Sequence, residues 1–258
     1  VLKSFKQISD KYNIDEIYPV ATAAIRQSEN RDEIVERINT KLGLDVKIIT
    51  GDEEATFGYE AAVHTISYYD AVTIDIGGGS TELTYYEDKN LIYKTSLPFG
   101  AVTLSRDFFT DKDHNDKKAI KEAKKFIEEQ FKKVNWLLDR NVPIVAIGGS
   151  ARNIARIHQS MTSYPIAGVH GYTMTKSDLN DVYKLLKNTE TDDMDDIDGL
   201  SKDRADLILP ANLVFSSLLD IVDSNEFKFS RKGLREGMAM KIISRDYPVA
   251  FNKYRVFD

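Results

Sequence analysis

The 258-residue chain contains no cysteine, which removes disulfides, thiolate metal sites and cysteine nucleophiles from consideration. That absence fits a reducing compartment, and a cytoplasmic protein is expected. No apolar run approaches the ~20 residues that a bilayer-crossing helix needs, and no signal peptide is visible, so no membrane is expected as a partner. The formal net charge is −6, which argues against broad binding to a nucleic acid polymer. A polyanionic substrate would need a local basic lining instead. The chain also lacks an initiator Met and enters at Val1 inside a helical pattern, from which a truncated start is expected. What remains is 42% hydrophobic and 29% charged, ordinary for a globular protein with a sizeable core in one large domain or two smaller ones.

The pattern along the chain alternates helices and strands. Leu2, Phe5, Ile8 and Tyr12 recur at helical spacing, "EIYPVAT" reads as a buried strand ending at Thr22, and Asn30 can cap a helix that Gly43 ends. A strand over 44–50 leads into a helix opening at Gly51. "DAVTIDI", "STELTYYED" and "NLIYKTSLPFG" then read as three strands. A short helix near 101–109 and a long one across 115–139 follow, then a strand, a glycine turn and a helix in "PIVAIGGSARNIARI". Helices over 176–188 and 204–222, a short strand "EFKFS" and a helix "GLREGMAMKIISR" close the chain. The acidic stretch 189–200 reads as a solvated linker, without the ligand spacing of a calcium loop. The class is α/β, with a boundary placed near Tyr69–Ala71.

Two glycine segments carry the chemistry. "TIDIGGGSTEL" is neither a dinucleotide-binding loop nor a P-loop, because a strand follows it and no lysine is present. The bland account is a tight hairpin whose glycines supply positive φ. Yet Gly77, Gly78 and Gly79 also expose N–H groups without an obstructing Cβ, Ser80 and Thr81 add hydroxyl donors, and Asp75 suits a hydrated Mg2+ better than a core. Glu82 shares the hairpin. In "IVAIGGSARNIARI" a strand meets Gly148 and Gly149, and Ser150 can cap a helix whose N-terminus attracts anions. Arg152 stands in that helix's first turn, where an anionic partner explains a cation better than the dipole does.

Three further positions are candidates. Glu53 and Glu54 open a helix, either to satisfy its dipole or to aim a general base into a cleft. Arg26 follows a strand end, a position suited to a bidentate phosphate contact, although a surface role fits equally. Arg235 begins the last helix in a similar way. The lysine-rich helix is read as a solvated face.

Taken together, "ATAAIRQSEN", "GDEEATFGYEAA", "DIGGGSTEL", "SLPFGAVTL", "IGGSARNIA", "RADLILPA" and "GLREGM" resemble, in order, the motifs of the exopolyphosphatase / guanosine pentaphosphate phosphohydrolase (Ppx/GppA) family, over Leu2 to about Ala239. The resemblance implies an actin-like fold, with two RNase H-like domains around an interdomain cleft. Residues 1–70 would be the remainder of the first domain. Residues 71–258 would form the second, with the C-terminal helix returning to the first. It implies a hydrolase that releases terminal phosphate by attack of water, using Mg2+ (or Mn2+). The expected substrates are inorganic polyphosphate or guanosine penta- and tetraphosphate; a phosphate- or alarmone-binding protein with little turnover is the alternative. Glu54 matches the family's catalytic carboxylate and Arg26 its motif arginine. Gly77 to Thr81 and Gly148 to Ser150 match its phosphate loops, and Asp75 and Glu82 its metal-side carboxylates. A homodimer is an expected assembly. The family's N-terminal Asp-x-Gly-Ser-Asn-Ser/Thr hairpin is not in this sequence, Asn212 stands where relatives carry glycine, and the length resembles the short, two-domain members.

Overall fold

The computed structural model describes residues 1–110, 113–165 and 168–246. The expected second-domain span runs on to Asp258, so its last twelve positions lie outside the described residues. In chain order the elements are α1 (Leu2–Lys11), β1 (Val20–Ala21), α2 (Ala23–Arg26), α3 (Arg31–Leu42), β2 (Lys47–Ile48), α4 (Gly51–Val63), β3 (Ala71–Ile76), β4 (Thr81–Glu87) and β5 (Asn90–Leu97). After these come α5 (Ala101–Leu104), α6 (Lys117–Lys132), β6 (Ile144–Ile147), α7 (Gly148–Met161), β7 (Thr173–Thr175), α8 (Lys176–Asn188), α9 (Ala205–Val222), β8 (Glu226–Phe229) and α10 (Leu234–Asp246).

β3 reads Ala-Val-Thr-Ile-Asp-Ile and is covered on both faces, as a strand without polar alternation must be. It lies at the centre of a six-stranded sheet ordered β5-β4-β3-β6-β8-β7. β4 runs antiparallel to β3 and β5, while β6 and β8 run parallel to β3. Leaving out β7, the first five strands take the order 3-2-1-4-5 with the second reversed, which is the RNase H-like arrangement expected above. On one face Val72, Ile74, Leu83 and Tyr85 pack with α6, α7 and α9 in the main core. On the other, Ala71, Tyr86, Val145 and Ile147 pack with Tyr59, Ala62 and Val63 of α4. α10 crosses α4 so closely that a Cβ on Gly237 would overlap the Phe57 carbonyl.

Several local expectations are corrected. The strands over 16–22 and 44–50 shrink to a two-residue parallel ladder, β1 with β2. Asn30 precedes α3 without a side-chain capping bond, whereas Gly43 does take the left-handed conformation at φ 64. The long helix stops at Lys132, and a π-helical turn follows α5 at Ser105–Phe109. The acidic stretch is not a solvated linker: Thr191–Asp196 is a 3-10 helix, and Met194 and Leu200 are buried. One helix of the described residues, Lys202–Val222, is long and apolar enough to cross a membrane by length and composition; 67% of it is buried inside the fold.

Candidate active site

The register of the sheet builds the site. Asp75 pairs across the ladder with Glu82, and Glu82 with Ser96, so the three stand in one row on the face that α4 covers. Ser96 donates to Glu82 Oε1 at 2.7 Å. α4 starts directly above this row: a Cβ on Gly51 would overlap the Ser96 side chain. Thr50 and Glu53 form a reciprocal capping box, Thr50 N to Glu53 Oε2 at 2.8 Å and Glu53 N to Thr50 Oγ1 at 3.1 Å. The two glutamates therefore divide their duties. Glu53 caps the helix, and Glu54 faces inward.

Glu54 Oε2 accepts from Arg26 Nη1 at 3.2 Å, and the same guanidinium nitrogen donates to the Ile49 carbonyl at 2.8 Å. Burial pushes the Glu54 carboxyl above the usual range, with Arg26 opposing the shift. Asp75 is raised to about 6 by burial and by Glu54, against the pull of Arg152 and Arg204. Glu82 is raised to about 8 by burial, then by Glu54 and, more weakly, by Asp75, against hydrogen bonds from Ser96 and Ser80. Three carboxyl groups thus share one poorly solvated region, in which Glu54 raises the proton affinity of both Asp75 and Glu82 and burial raises all three.

Both glycine turns sit at the carboxyl ends of adjacent parallel strands, β3 and β6, where open α/β sheets bind ligands. The first turn does not use positive φ at Gly77, Gly78 or Gly79. Its glycines answer to close packing: Gly77 N donates to Ser80 O at 2.9 Å, and a Cβ on Gly79 would stand 3.3 Å from Gln27 Oε1. The carbonyls of Gly77 and Gly78 receive the amides of Ala101, Val102 and Thr103, so the loop's carbonyls are spent on the start of α5. A Cβ on Gly100 would come within 2.5 Å of the Gly77 carbonyl. Thr81 is fully buried and its hydroxyl donates to the Phe99 carbonyl at 2.7 Å, so this hydroxyl is held inside the hairpin.

The second turn does use positive φ. Gly148 stands at φ 93, and a Cβ there would overlap Asp75 Oδ1. α7 begins at Gly148 with Ile147 as its N-cap, so Ser150 is not the cap but a first-turn residue, and the N-cap makes no side-chain hydrogen bond to the helix start among the described residues. The Ser150 hydroxyl is buried and has no hydrogen-bond partner among the described residues. A hydroxyl without a partner at a helix N-terminus is chemically able to donate to an anion.

Four features here lay outside the sequence-based expectations. Arg204 lies against Gly149, whose Cβ would be 2.8 Å from its Nη2. Asn153 ties the two segments together, Gln27 Nε2 donates to the Gly79 carbonyl at 3.3 Å, and Ser96 completes the carboxylate row. Only the "RADLILPA" string pointed at Arg204, and it carried no role.

Among the described residues no group of three or more His, Cys, Asp or Glu side chains is disposed to hold a metal ion. That donor set does not fit an all-protein cage. It does fit Mg2+, which is commonly held by one or two carboxylates with phosphate oxygens and water, because Asp75 and Glu82 stand paired across the ladder as two oxygen donors in a poorly solvated region.

The fold and site define an α/β protein with a glycine turn at the carboxyl end of each of two adjacent parallel strands, and its family can be stated. The Ppx/GppA phosphatase family matches residues 1–246, and the chain belongs to it. It is 29% identical over 232 residues to a guanosine-5'-triphosphate,3'-diphosphate pyrophosphatase of Vibrio parahaemolyticus, covering 87% of this chain and 44% of that protein. A bifunctional 3-dehydroquinate synthase/phosphatase of Fusobacterium nucleatum is 28% identical over 228 residues, 85% of this chain and 34% of that protein. The chain thus spans less than half the length of these relatives. The crystal structure of the Aquifex aeolicus Ppx/GppA family member superposes with a TM-score of 0.82 at 27% identity, over 95% of this chain and 80% of that one.

Proposed function

We propose that this protein is a phosphoric anhydride hydrolase that releases the terminal phosphate of inorganic polyphosphate by direct attack of water. The observation that carries this reading is Glu54, which is drawn above the ordinary carboxylate range and aimed from a helix start at the row of Asp75, Glu82 and Ser96, with a glycine turn at the end of each adjacent strand. Glu54 orients and deprotonates the water. Arg26 holds that carboxylate and supplies positive charge beside the transferred phosphoryl group. The amides of Gly78 and Gly79, the start of α7, the Ser150 hydroxyl and Arg204 receive phosphate oxygens, while the Gly77 amide is held by the Ser80 carbonyl and shapes the loop. Mg2+, held by Asp75 with Glu82 beside it, would neutralise charge on the scissile bridge when bound. With water as the attacking group there is no covalent intermediate on the protein, so positioning and electrostatics carry the acceleration.

The test is phosphate release with Mg2+ from long-chain polyphosphate and, separately, from guanosine pentaphosphate, comparing the chain with Glu54→Gln. Loss of release in the variant, by about a thousandfold or more, is expected for a missing base in a preorganised site. Equal activity in both proteins rules out this role for Glu54. Preference for the nucleotide would move the substrate to the one in the Vibrio relative's name.

A further inference from the structure

Arg204 is a cation in need of an explanation for its place. Its ion pair among the described residues is to Asp203 Oδ2 at 3.7 Å, and that carboxylate is largely exposed, so the pair does little to hold it. It belongs to a 3-10 turn, Lys202–Arg204, between the acidic segment and α9. Even so, its guanidinium is seated on Gly149 in the second glycine turn.

A closed circuit of contacts accounts for this placement. Gly199 takes φ 89 with its α-carbon pressed against the α7 backbone, where a Cβ would be 2.6 Å from the Arg156 carbonyl carbon. Two residues on, the Ser201 amide and hydroxyl both donate to Asn153 Oδ1, at 2.7 and 2.8 Å. The other end of that side chain, Asn153 Nδ2, donates to the Gly149 carbonyl at 2.9 Å. The Arg204 amide then donates to the Ser201 carbonyl at 2.8 Å. Asn153 is only 4% exposed, so the three bonds its own amide makes are shielded from water, where losing one costs most. An amide of this length accepts twice at one end and donates at the other; alanine does neither, and aspartate cannot donate to Gly149.

We infer that Asn153 is the positioning residue that fixes Arg204 over the second glycine turn and so sets how tightly a polyphosphorylated substrate is held. This role rests on the substrate reading above. Both ends of the Asn153 amide are engaged within the protein, by Gly149 and Ser201, and it acts through Arg204.

The full chain and its Asn153→Ala, Ser201→Ala, Arg204→Ala and Asn153→Ala/Arg204→Ala variants decide it. Amide hydrogen exchange without ligand is expected to speed up over 199–204 in Asn153→Ala, and less in Ser201→Ala, with β3 and β6 unchanged. Unchanged exchange over 199–204 overturns the proposal, as does general loss of protection in both single variants. In polyphosphate kinetics, Asn153→Ala is expected to raise KM roughly tenfold with a smaller change in kcat, and to add less than about twofold in the Arg204→Ala background. Fully multiplicative effects overturn it. Should the wild type bind tripolyphosphate in calorimetry without turning it over, weaker binding in Asn153→Ala supports the role and equal binding overturns the role alone. Wild type that neither binds nor hydrolyses removes the substrate reading, and this role with it.

Discussion

Glu53 and Glu54 are neighbours in sequence and opposites in duty, and each makes a separate prediction. Glu53 is spent on the capping box and on Lys47, both at the surface. Glu53→Ala should cost about 1 kcal/mol in denaturant unfolding and leave kcat near wild type. Glu54→Gln should do the reverse. Glu82 makes a third prediction through its pH dependence. A carboxyl whose folded value is about 8 against an ordinary 4.5 binds its proton more tightly in the native state than in the unfolded chain. The native state therefore holds more protons over that interval, and stability falls as pH rises from the ordinary carboxylate range through about 8. Asp75, at about 6, acts in the same direction over a shorter interval. In EDTA, unfolding free energy should decline with a slope of up to about 1.4 kcal/mol per pH unit for each such group. Glu82→Gln keeps an acceptor for Ser96 and should flatten the decline, gaining most above pH 8. A variant curve parallel to wild type would place the titration elsewhere.

At the scale of elements, the second glycine turn is where a single methyl group should do most harm. Gly148→Ala meets both a left-handed φ and the Asp75 carboxylate, whereas Gly43→Ala meets the φ alone, with nothing within 4 Å. The first should cost more than about 2 kcal/mol and abolish activity; the second should cost about 1 kcal/mol and leave activity intact. Equal losses in thermal unfolding would show that the contact with Asp75 is not tight. This contrast also explains what was legible in the sequence. The strand–glycine–helix of 144–161 and the hairpin around Gly78 could be read because apolar runs, glycines and register are local signals. The row Asp75–Glu82–Ser96 could be read only in part, since Ser96 enters it through the pairing of β4 with β5. Arg204 and Asn153 were illegible as a pair because the circuit joining them closes across 48 residues of chain. The solvated-linker expectation for 189–200 failed for a related reason: acidity dominates the composition, while two residues, Met194 and Leu200, supply the anchoring.

At the scale of the whole molecule, charge and site pull in opposite directions. The chain carries a net −6, yet Arg152 is held below the ordinary guanidinium range by burial and by Arg156, Arg204 and Arg235, which marks a local concentration of positive charge at the start of α7. A polyanion approaching the site feels repulsion from charges spread over the molecule and attraction from four arginines gathered about the N-terminal half of α7. Screening decides which dominates. At about 0.15 M salt the Debye length is about 8 Å, so distant carboxylates are already attenuated while the nearby arginines still act. Adding salt should therefore weaken binding, raising KM for polyphosphate with little change in kcat. Arg235, which is exposed at the start of α10, offers the cleanest probe, because Arg235→Gln removes one of these charges without opening the core. That variant should show a higher KM at low salt and a shallower dependence on added NaCl, while Lys125→Gln on the outer face of α6, paired i to i+4 with Glu129, should match wild type. If Lys125→Gln and Arg235→Gln flattened the dependence equally, net charge and not the arginines at α7 would govern the approach of substrate.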